Sequence, residues 1–121
     1  QGLTVLIRAS QYGHLATTAI LVEKGASVYA SDSSGRTPLM WCFRFGHVRM
    51  ASLFLEHGAR ANQVDMDGQT PLMWALKRGH LDAAPVLFQF GAEVDAVDHE
   101  GRSLLMWACQ QGELLTAQML L

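Results

Sequence analysis

The stretch GQTPLMWA, residues 68–75, decides the fold because it occurs three more times at a fixed spacing. It reads GRTPLMWC at 35–42, GRSLLMWA at 101–108 and, in a degraded form, GLTVLIRA at 2–9. Each copy lies thirty-three residues from the next. A fixed period of this size is typical of proteins built from stacked repeats, in which each unit buries its apolar face against its neighbours.

The first residues of this stretch have the chemistry of a helix start. Gly68 can turn the chain with a positive φ at little steric cost, and the Thr70 hydroxyl can accept a hydrogen bond from a free N–H of the first helical turn. Pro71 then occupies the first helical position, where its missing N–H costs nothing. Apolar residues follow at helical spacing, and Gly79 ends the element after about two turns. A helix of this length is not stable alone in water, so it must pack against a neighbour.

Each repeat is expected to contain a second helix after a Gly-His pair. In the second repeat the two helices cover residues 38–45 and 48–56, and their equivalents lie thirty-three residues earlier and later. The second helix of the third repeat, 81–89, contains Pro85 within its first turn or so. A proline there removes at most one backbone hydrogen bond, so the sequence predicts a slight bend rather than a break.

Composition and charge exclude several classes of protein. Half of the 121 residues are hydrophobic and 17% are charged, which indicates a folded, globular chain. No apolar run approaches the eighteen or so residues of a membrane span, so no membrane insertion is expected. The formal net charge of −2 argues against a general affinity for nucleic acid.

The two cysteines, Cys42 and Cys109, lie on first helices two repeats apart. With neighbouring helices about 8–10 Å apart, about 20 Å would separate these residues, whereas a disulfide needs Cα atoms within about 7 Å of each other. We therefore expect two free, largely buried thiols. Such thiols suit a reducing intracellular setting, the cytoplasm or the nucleus.

Three recurring motifs resemble those of the ankyrin repeat. They are Thr-Pro-Leu at 37–39 and 70–72, Gly-His at 13–14, 46–47 and 79–80, and Gly-Ala at 25–26, 58–59 and 91–92. The resemblance implies an all-α solenoid of stacked helix-turn-helix units, with β-hairpin-like finger turns that line a concave groove together with the first helices. It covers the chain, 1–121, as a single array whose repeats are 1–31, 32–64, 65–97 and a truncated 98–121.

Ankyrin arrays are typically protein-interaction modules, so the resemblance implies a protein or peptide partner, with no catalysis, no cofactor and no small-molecule substrate. The family often has a histidine after Thr-Pro-Leu that bonds back to the threonine. Here that position holds Met40, Met73, Met106 or Ile7. The turn is therefore expected to be held by packing and by the threonine cap alone.

Two sets of recurring polar residues are expected to be structural. The histidines of the Gly-His pairs stand about one repeat, 8–10 Å, apart, whereas zinc ligands must converge at about 2 Å from one ion. These imidazoles are expected to bond loop backbone, and no metal site is predicted. The aspartates that open successive turns, Asp32, Asp65 and Asp98, are too far apart to act as an acid–base pair. Each is expected to stabilise its turn by accepting backbone N–H bonds.

Tryptophan recurs at one position of three repeats, as Trp41, Trp74 and Trp107. In the ankyrin plan this position lies on the first helix, towards the concave face. The indoles either stack only within the scaffold or serve as partly exposed anchors for a ligand, and the sequence leaves both interpretations open. Tryptophan and arginine dominate the energetics of many interfaces, which favours a site.

Basic residues cluster around these indoles. Arg44 and Lys77 lie three residues after a tryptophan, on the same helix face, and Arg36 and Arg102 lie in finger turns. The groove is therefore expected to be positive although the chain carries a net charge of −2. The candidate partner-binding residues are Tyr12, Arg36, Trp41, Arg44, Phe45, Trp74, Lys77, Arg78, Arg102 and Trp107.

The leading functional hypothesis is a scaffold that binds an acidic and apolar peptide or protein segment along the groove. One alternative is a methyl-lysine reader of histone tails, in which the tryptophans would form an aromatic cage; the surrounding arginines would repel such a tail. Another alternative is a regulatory segment of a larger enzyme or channel. Both ends look cut, so further repeats or domains are expected to flank the array. They would cover an apolar end surface formed by Leu114, Met119 and Leu120.

Overall fold

The structure, a computed structural model, describes residues 4–111 together with Leu114 and Gln118. The described residues form seven α-helices. They are α1 (Val5–Tyr12), α2 (Leu15–Glu23), α3 (Pro38–Phe45), α4 (Val48–Glu56), α5 (Pro71–Lys77), α6 (Ala83–Gln89) and α7 (Leu104–Gln111). The helices form two layers: α1, α3 and α5 lie against one another in order, and each contacts the second helix of its own pair. This all-α repeat solenoid is the fold class that the sequence predicts.

Threonine caps begin the first helix of each of the first three pairs. The hydroxyl oxygens of Thr4, Thr37 and Thr70 accept hydrogen bonds from the backbone N–H three residues later, at 3.1, 3.3 and 3.2 Å. Gly13 and Gly46 end α1 and α3 in the left-handed region, which other residues rarely adopt. The predicted starts of these first helices are confirmed, and α3 and α4 have the predicted bounds.

The third helix pair departs from the prediction at its second helix. α6 begins at Ala83, two residues later than expected. Pro85 has no N–H to donate to the carbonyl of Leu81, and Ala84 donates to that oxygen instead at 3.2 Å. Ala83 likewise donates to the His80 carbonyl at 3.1 Å. The chain therefore enters α6 through a tighter turn, in which the bonds span three residues rather than four.

The core lies between the two helix layers and between successive pairs. Ile7 and Met40 are fully buried, and Met73 is 2% exposed. These apolar side chains occupy the position at which the family often has a histidine. Packing and the threonine cap therefore hold these three turns, as predicted. The fourth residue at this position, Met106, is 51% exposed, so the expected packing is absent there, and Ser103 supplies the cap.

The two cysteines are free, as predicted, but only one of them is buried. The prediction of a buried thiol holds for Cys42 and is wrong for Cys109, which is exposed. Cys109 occupies the repeat position of Ser10, whose buried side chain lies beside Cys42 of the next repeat. That position faces forward along the stack, so its burial depends on a following helix pair. No described residue belongs to a pair beyond α7.

The imidazoles of His47 and His80 pack against the preceding repeat. A Cβ atom on Gly13 would lie 2.7 Å from Cε1 of His47, and one on Gly46 would lie 3.0 Å from Cε1 of His80. Among the described residues, the histidine ring that bonds a backbone carbonyl is His57. The predicted bond from the Gly-His imidazoles to loop backbone is therefore wrong. His47 and His80 contact a glycine of the preceding repeat instead, and His14 stacks on Tyr12.

The finger turns between helix pairs are tied to one another in series. The Met66 N–H donates to the Ser34 carbonyl at 3.0 Å, and the His99 N–H donates to the Asp67 carbonyl at 2.9 Å. Successive turns thus form a row beside the first-layer helices, as the family resemblance implies.

None of the helices in the described part of the chain has both the length and the hydropathy that a membrane crossing requires. Leu114 is 68% exposed. Met119 and Leu120, the other members of the expected apolar end surface, lie outside the described residues.

Gly68 permits the close approach of two finger turns, and replacing it with alanine is expected to destabilise the protein. Its φ is +77°, and a Cβ atom there would lie 2.9 Å from the backbone nitrogen of His99. Gly58 is the matched control, because its φ is +101° but a Cβ atom there would meet nothing within 4 Å. Gly58→Ala should cost about 1–2 kcal/mol from backbone strain alone, and Gly68→Ala about 1–3 kcal/mol more. Unfolding in urea measures both free energies, and equal losses would contradict the close contact at Gly68.

Candidate functional site

An aspartate carboxylate joins the second finger turn to the helix that follows it. Oδ1 of Asp65 accepts hydrogen bonds from the backbone N–H groups of Asp67 and Gln69, both at 2.9 Å. Oδ2 of Asp65 accepts a hydrogen bond from the indole Nε1 of Trp74 at 3.0 Å. Asp65 is only 5% exposed, and these three donors compensate its buried charge. The predicted role in the turn is confirmed, and the indole bond adds a tie to α5.

The first finger turn repeats this arrangement. Oδ1 of Asp32 accepts hydrogen bonds from the N–H groups of Ser34 and Arg36, both at 2.9 Å, and Oδ2 accepts one from Nε1 of Trp41 at 3.1 Å. The prediction from sequence missed this bond to the indole. Its signal is the spacing of nine residues between aspartate and tryptophan, which is the same in both repeats.

The third finger turn differs because an arginine takes the place of the indole. Oδ1 of Asp98 again accepts two backbone N–H bonds, from Glu100 and Arg102. Its Oδ2 accepts a hydrogen bond from Nε of Arg102 at 3.1 Å. The Arg102 guanidinium also forms an ion pair with Glu100. Trp107 has the same spacing from this aspartate, but Oδ2 of Asp98 binds Arg102 instead of its indole.

The three indoles also differ in exposure. Trp74 is 8% exposed, whereas Trp41 and Trp107 are half-buried. For Trp74 the geometry favours the scaffold interpretation, because the ring is enclosed and its N–H is bonded within the protein. Trp41 combines a bonded N–H with a partly open ring.

Three arginines lie over the faces of two of these indoles. The Arg36 guanidinium lies 5.5 Å from the ring centroid of Trp41 and 5.7 Å from that of Trp74, so it bridges two repeats. Arg44 lies 5.6 Å from the Trp41 ring, and Arg78 lies 5.9 Å from the Trp74 ring. These distances allow cation–π attraction. We call the alternating series of Arg44, Trp41, Arg36, Trp74 and Arg78 the arginine–tryptophan ladder.

The arginine–tryptophan ladder is rich in positive charge. Both ion pairs found among the described residues involve Arg102. Arg36, Arg44 and Arg78 therefore have no carboxylate partner in that part of the chain. Lys77, at the end of α5, adds a further cation beside the ladder. Arg102 is neutralised by its own turn, so the positive charge is concentrated at the ladder.

Aromatic side chains flank one end of the ladder. Phe45 is 47% exposed and stacks on Trp41 with ring centroids 6.1 Å apart. Tyr12, at the same position of the preceding repeat, is 64% exposed and stacks on His14. This face thus offers exposed aromatic rings and guanidinium groups side by side.

Two observations bear on whether the described residues contain a reactive centre. Burial raises the pKa of the Cys42 thiol to about 12, against the lowering effect of a hydrogen bond with Ser10, so this thiol is not a nucleophile. Within the described part of the chain, no group of three or more His, Cys, Asp or Glu residues could hold a metal ion.

Comparison with known proteins gives one result that bears on the whole chain. A family model described as ankyrin repeats in three copies matches residues 1–65 and, a second time, residues 58–121. A search of curated proteins finds no match.

Asp98 is expected to make stability depend on pH in the acid range. Burial alone would raise the pKa of Asp98, but backbone N–H bonds from Arg102 and Glu100 and the Arg102 guanidinium hold it below its ordinary value of 3.8. A carboxyl with a lowered folded-state pKa stabilises the fold above its unfolded-state pKa and loses that contribution as the pH falls through the folded-state pKa. Asp98→Asn should lower the free energy of unfolding by about 1–3 kcal/mol at neutral pH.

Urea unfolding at a series of pH values measures how far Asp98→Asn lowers the free energy of unfolding. The difference from wild type should shrink as the pH falls below the ordinary value of 3.8. Asp95→Asn, at an exposed carboxylate, is the control and should leave the curve nearly unchanged. A difference for Asp98→Asn that stays constant throughout the acid range would contradict the role given to this carboxylate.

Proposed function

Because the chain belongs to the ankyrin-repeat family, we propose that it binds an acidic, partly apolar segment of another protein along the face formed by its first-layer helices and finger turns. Ankyrin repeats are generally protein–protein interaction modules, so a protein partner is what the family implies. The finer proposal concerns the chemistry of that partner and the residues that bind it.

The observation that carries the proposal is the arginine–tryptophan ladder. Its guanidinium groups lie against indole faces, which leaves their N–H edges for a ligand. A guanidinium presents several donors in a planar fork that matches a carboxylate. Contact with a rigid ring also reduces the freedom that an arginine side chain loses when it binds.

The apolar part of the segment would contact the exposed aromatic rings. Phe45 and Tyr12, which share one repeat position, offer such rings. Trp74 is too enclosed to act as a direct anchor, so its part in the proposal is to hold the arginines in place. Lys77 and Trp107 extend the proposed surface along the stack.

A methyl-lysine reader is the weaker candidate. An aromatic cage needs open ring faces to receive the methylated ammonium group, whereas arginines lie over the faces of Trp41 and Trp74. Their positive charge would also repel a cationic histone tail. A regulatory segment of a larger enzyme or channel is compatible with the family, but no observation on the described residues favours it.

In this proposal the repeats act as one array over residues 1–121, and its role is binding alone. Ankyrin-repeat domains are typically interaction modules without enzymatic activity. We also propose an intracellular setting, because Cys42 and Cys109 are free thiols and free thiols are typical of reducing compartments.

Selection from a random peptide library tests the proposed function. Peptides retained by the wild-type protein should be enriched in aspartate and glutamate together with aromatic or aliphatic residues. Lys77→Glu, which reverses a charge beside the ladder, should slow association about tenfold and flatten its dependence on salt concentration. Stopped-flow fluorescence with a selected peptide measures the association rate.

Arg49→Glu is the matched control for this charge reversal. Arg49 is an exposed residue of α4, in the second helix layer, and its reversal changes the net charge by the same amount. It should leave the association rate nearly unchanged. Selected peptides without acidic residues, or equal effects of the two reversals, would show that this face does not bind an acidic segment.

A further inference from the structure

One position of the finger turn differs between repeats in its charge and in the pairing of that charge. The residue is Arg36 in the first turn, Gln69 in the second and Arg102 in the third. Arg102 is bound to Asp98 at 3.1 Å and also to Glu100. Gln69 carries no charge. In the described part of the chain, Arg36 is therefore the only residue at this position whose charge is not neutralised within its own turn.

Two differences between the turns explain why Arg36 stays available. The first turn has Ser34 where the third has Glu100, so it lacks a carboxylate at that position. In addition, Oδ2 of Asp32 is occupied by the indole N–H of Trp41 at 3.1 Å. In the third turn the corresponding oxygen binds the arginine instead.

Both the backbone and the side chain of Arg36 are held in place. Its N–H donates to Oδ1 of Asp32 at 2.9 Å, and its carbonyl accepts a bond from the Asp32 N–H at 2.9 Å. Its guanidinium lies over the rings of Trp41 and Trp74. A donor fork held in this way loses little freedom on binding, which favours a directional bond to a carboxylate.

We infer that Arg36 determines specificity on this surface, by binding one aspartate or glutamate carboxylate of the partner at a fixed place between the first and second finger turns. The inference rests on the proposed function. It adds that the partner needs one acidic residue and that this residue has a fixed position along the stack, which we call the register. Arg44 and Arg78, at the two ends of the ladder, flank this place and raise the local attraction for acidic groups.

Arg36→Gln is the test variant, since glutamine is the residue that the second turn has at this position. Arg102→Gln makes the same change in the third turn and is the matched control. The probe is an acidic peptide selected on the wild-type protein, together with versions in which each aspartate or glutamate is changed singly to its amide. Thermal melting followed by circular dichroism establishes that both protein variants are folded.

The two variants should differ in affinity for the probe. Arg36→Gln should weaken binding about ten- to a hundredfold, because a charge-assisted hydrogen bond is lost. Arg102→Gln should weaken it about twofold or less, since it removes a partly exposed, internally paired charge. Isothermal titration calorimetry measures both dissociation constants.

A double-mutant cycle identifies the register. With Arg36→Gln, changing one particular acidic residue of the probe to its amide should no longer weaken binding. Changing any of the other acidic residues should weaken binding as much as it does with the wild-type protein. The cycle with Arg102→Gln should show no such pair.

The outcomes separate the two proposals. Acidic peptides that bind Arg36→Gln as tightly as wild type, or coupling spread evenly over all acidic residues, would overturn the inference about Arg36 and leave the proposed function standing. Failure of the library to yield acidic peptides would overturn both.

Discussion

The fold and its surface depend on a carboxylate that bonds the backbone of its own turn and the indole of the following helix. One oxygen of Asp65 accepts two N–H groups of the turn, and the other accepts the indole N–H of Trp74. Since Asp65 is 5% exposed, the loss of a donor would leave buried charge without compensation. The bonds also fix the finger turn to the start of α5. The Thr70 cap lies between Asp65 and Trp74 in the sequence.

This constraint extends from the turn to the surface. An indole whose N–H is bonded presents its ring in a fixed orientation, and Arg36 lies over two such rings from successive repeats. In the proposed site the tryptophans therefore act chiefly by positioning arginines, and the arginines meet the ligand. In this proposal the tryptophans belong to the scaffold and also support the site. The enclosed ring of Trp74 and the half-buried ring of Trp41 hold the arginines at the surface.

The repeat period predicts the fold well because each unit follows the same local rules. A threonine–proline start and a glycine stop place α3 at its observed bounds, and the glycines at 46 and 58 place α4 between them. The prediction fails where a residue breaks the local pattern or depends on a neighbouring repeat. Pro85 delays the start of α6 by changing which carbonyls are bonded, and Cys109 is exposed because burial at its position depends on a following helix pair.

The candidate site is less predictable than the fold because it depends on contacts between side chains. The period shows that aspartate and tryptophan recur, but only the folded backbone shows that they meet across nine residues. The exposure of Trp74 depends on how its ring packs, which composition does not specify. Arg102 has the same place in its turn as Arg36, but it forms an ion pair with Glu100, two residues earlier. Arg102 is therefore not part of the ladder.

Hydrogen exchange of the indole N–H groups tests most directly the claim that the finger carboxylates hold the tryptophans. In a ¹⁵N-labelled protein, the indole resonances of Trp41, Trp74 and Trp107 can be followed separately after transfer to heavy water. We predict slow exchange for Trp41 and Trp74, which donate to Asp32 and Asp65, and faster exchange for Trp107. Exchange of Trp41 and Trp74 as fast as that of Trp107 would contradict the claim.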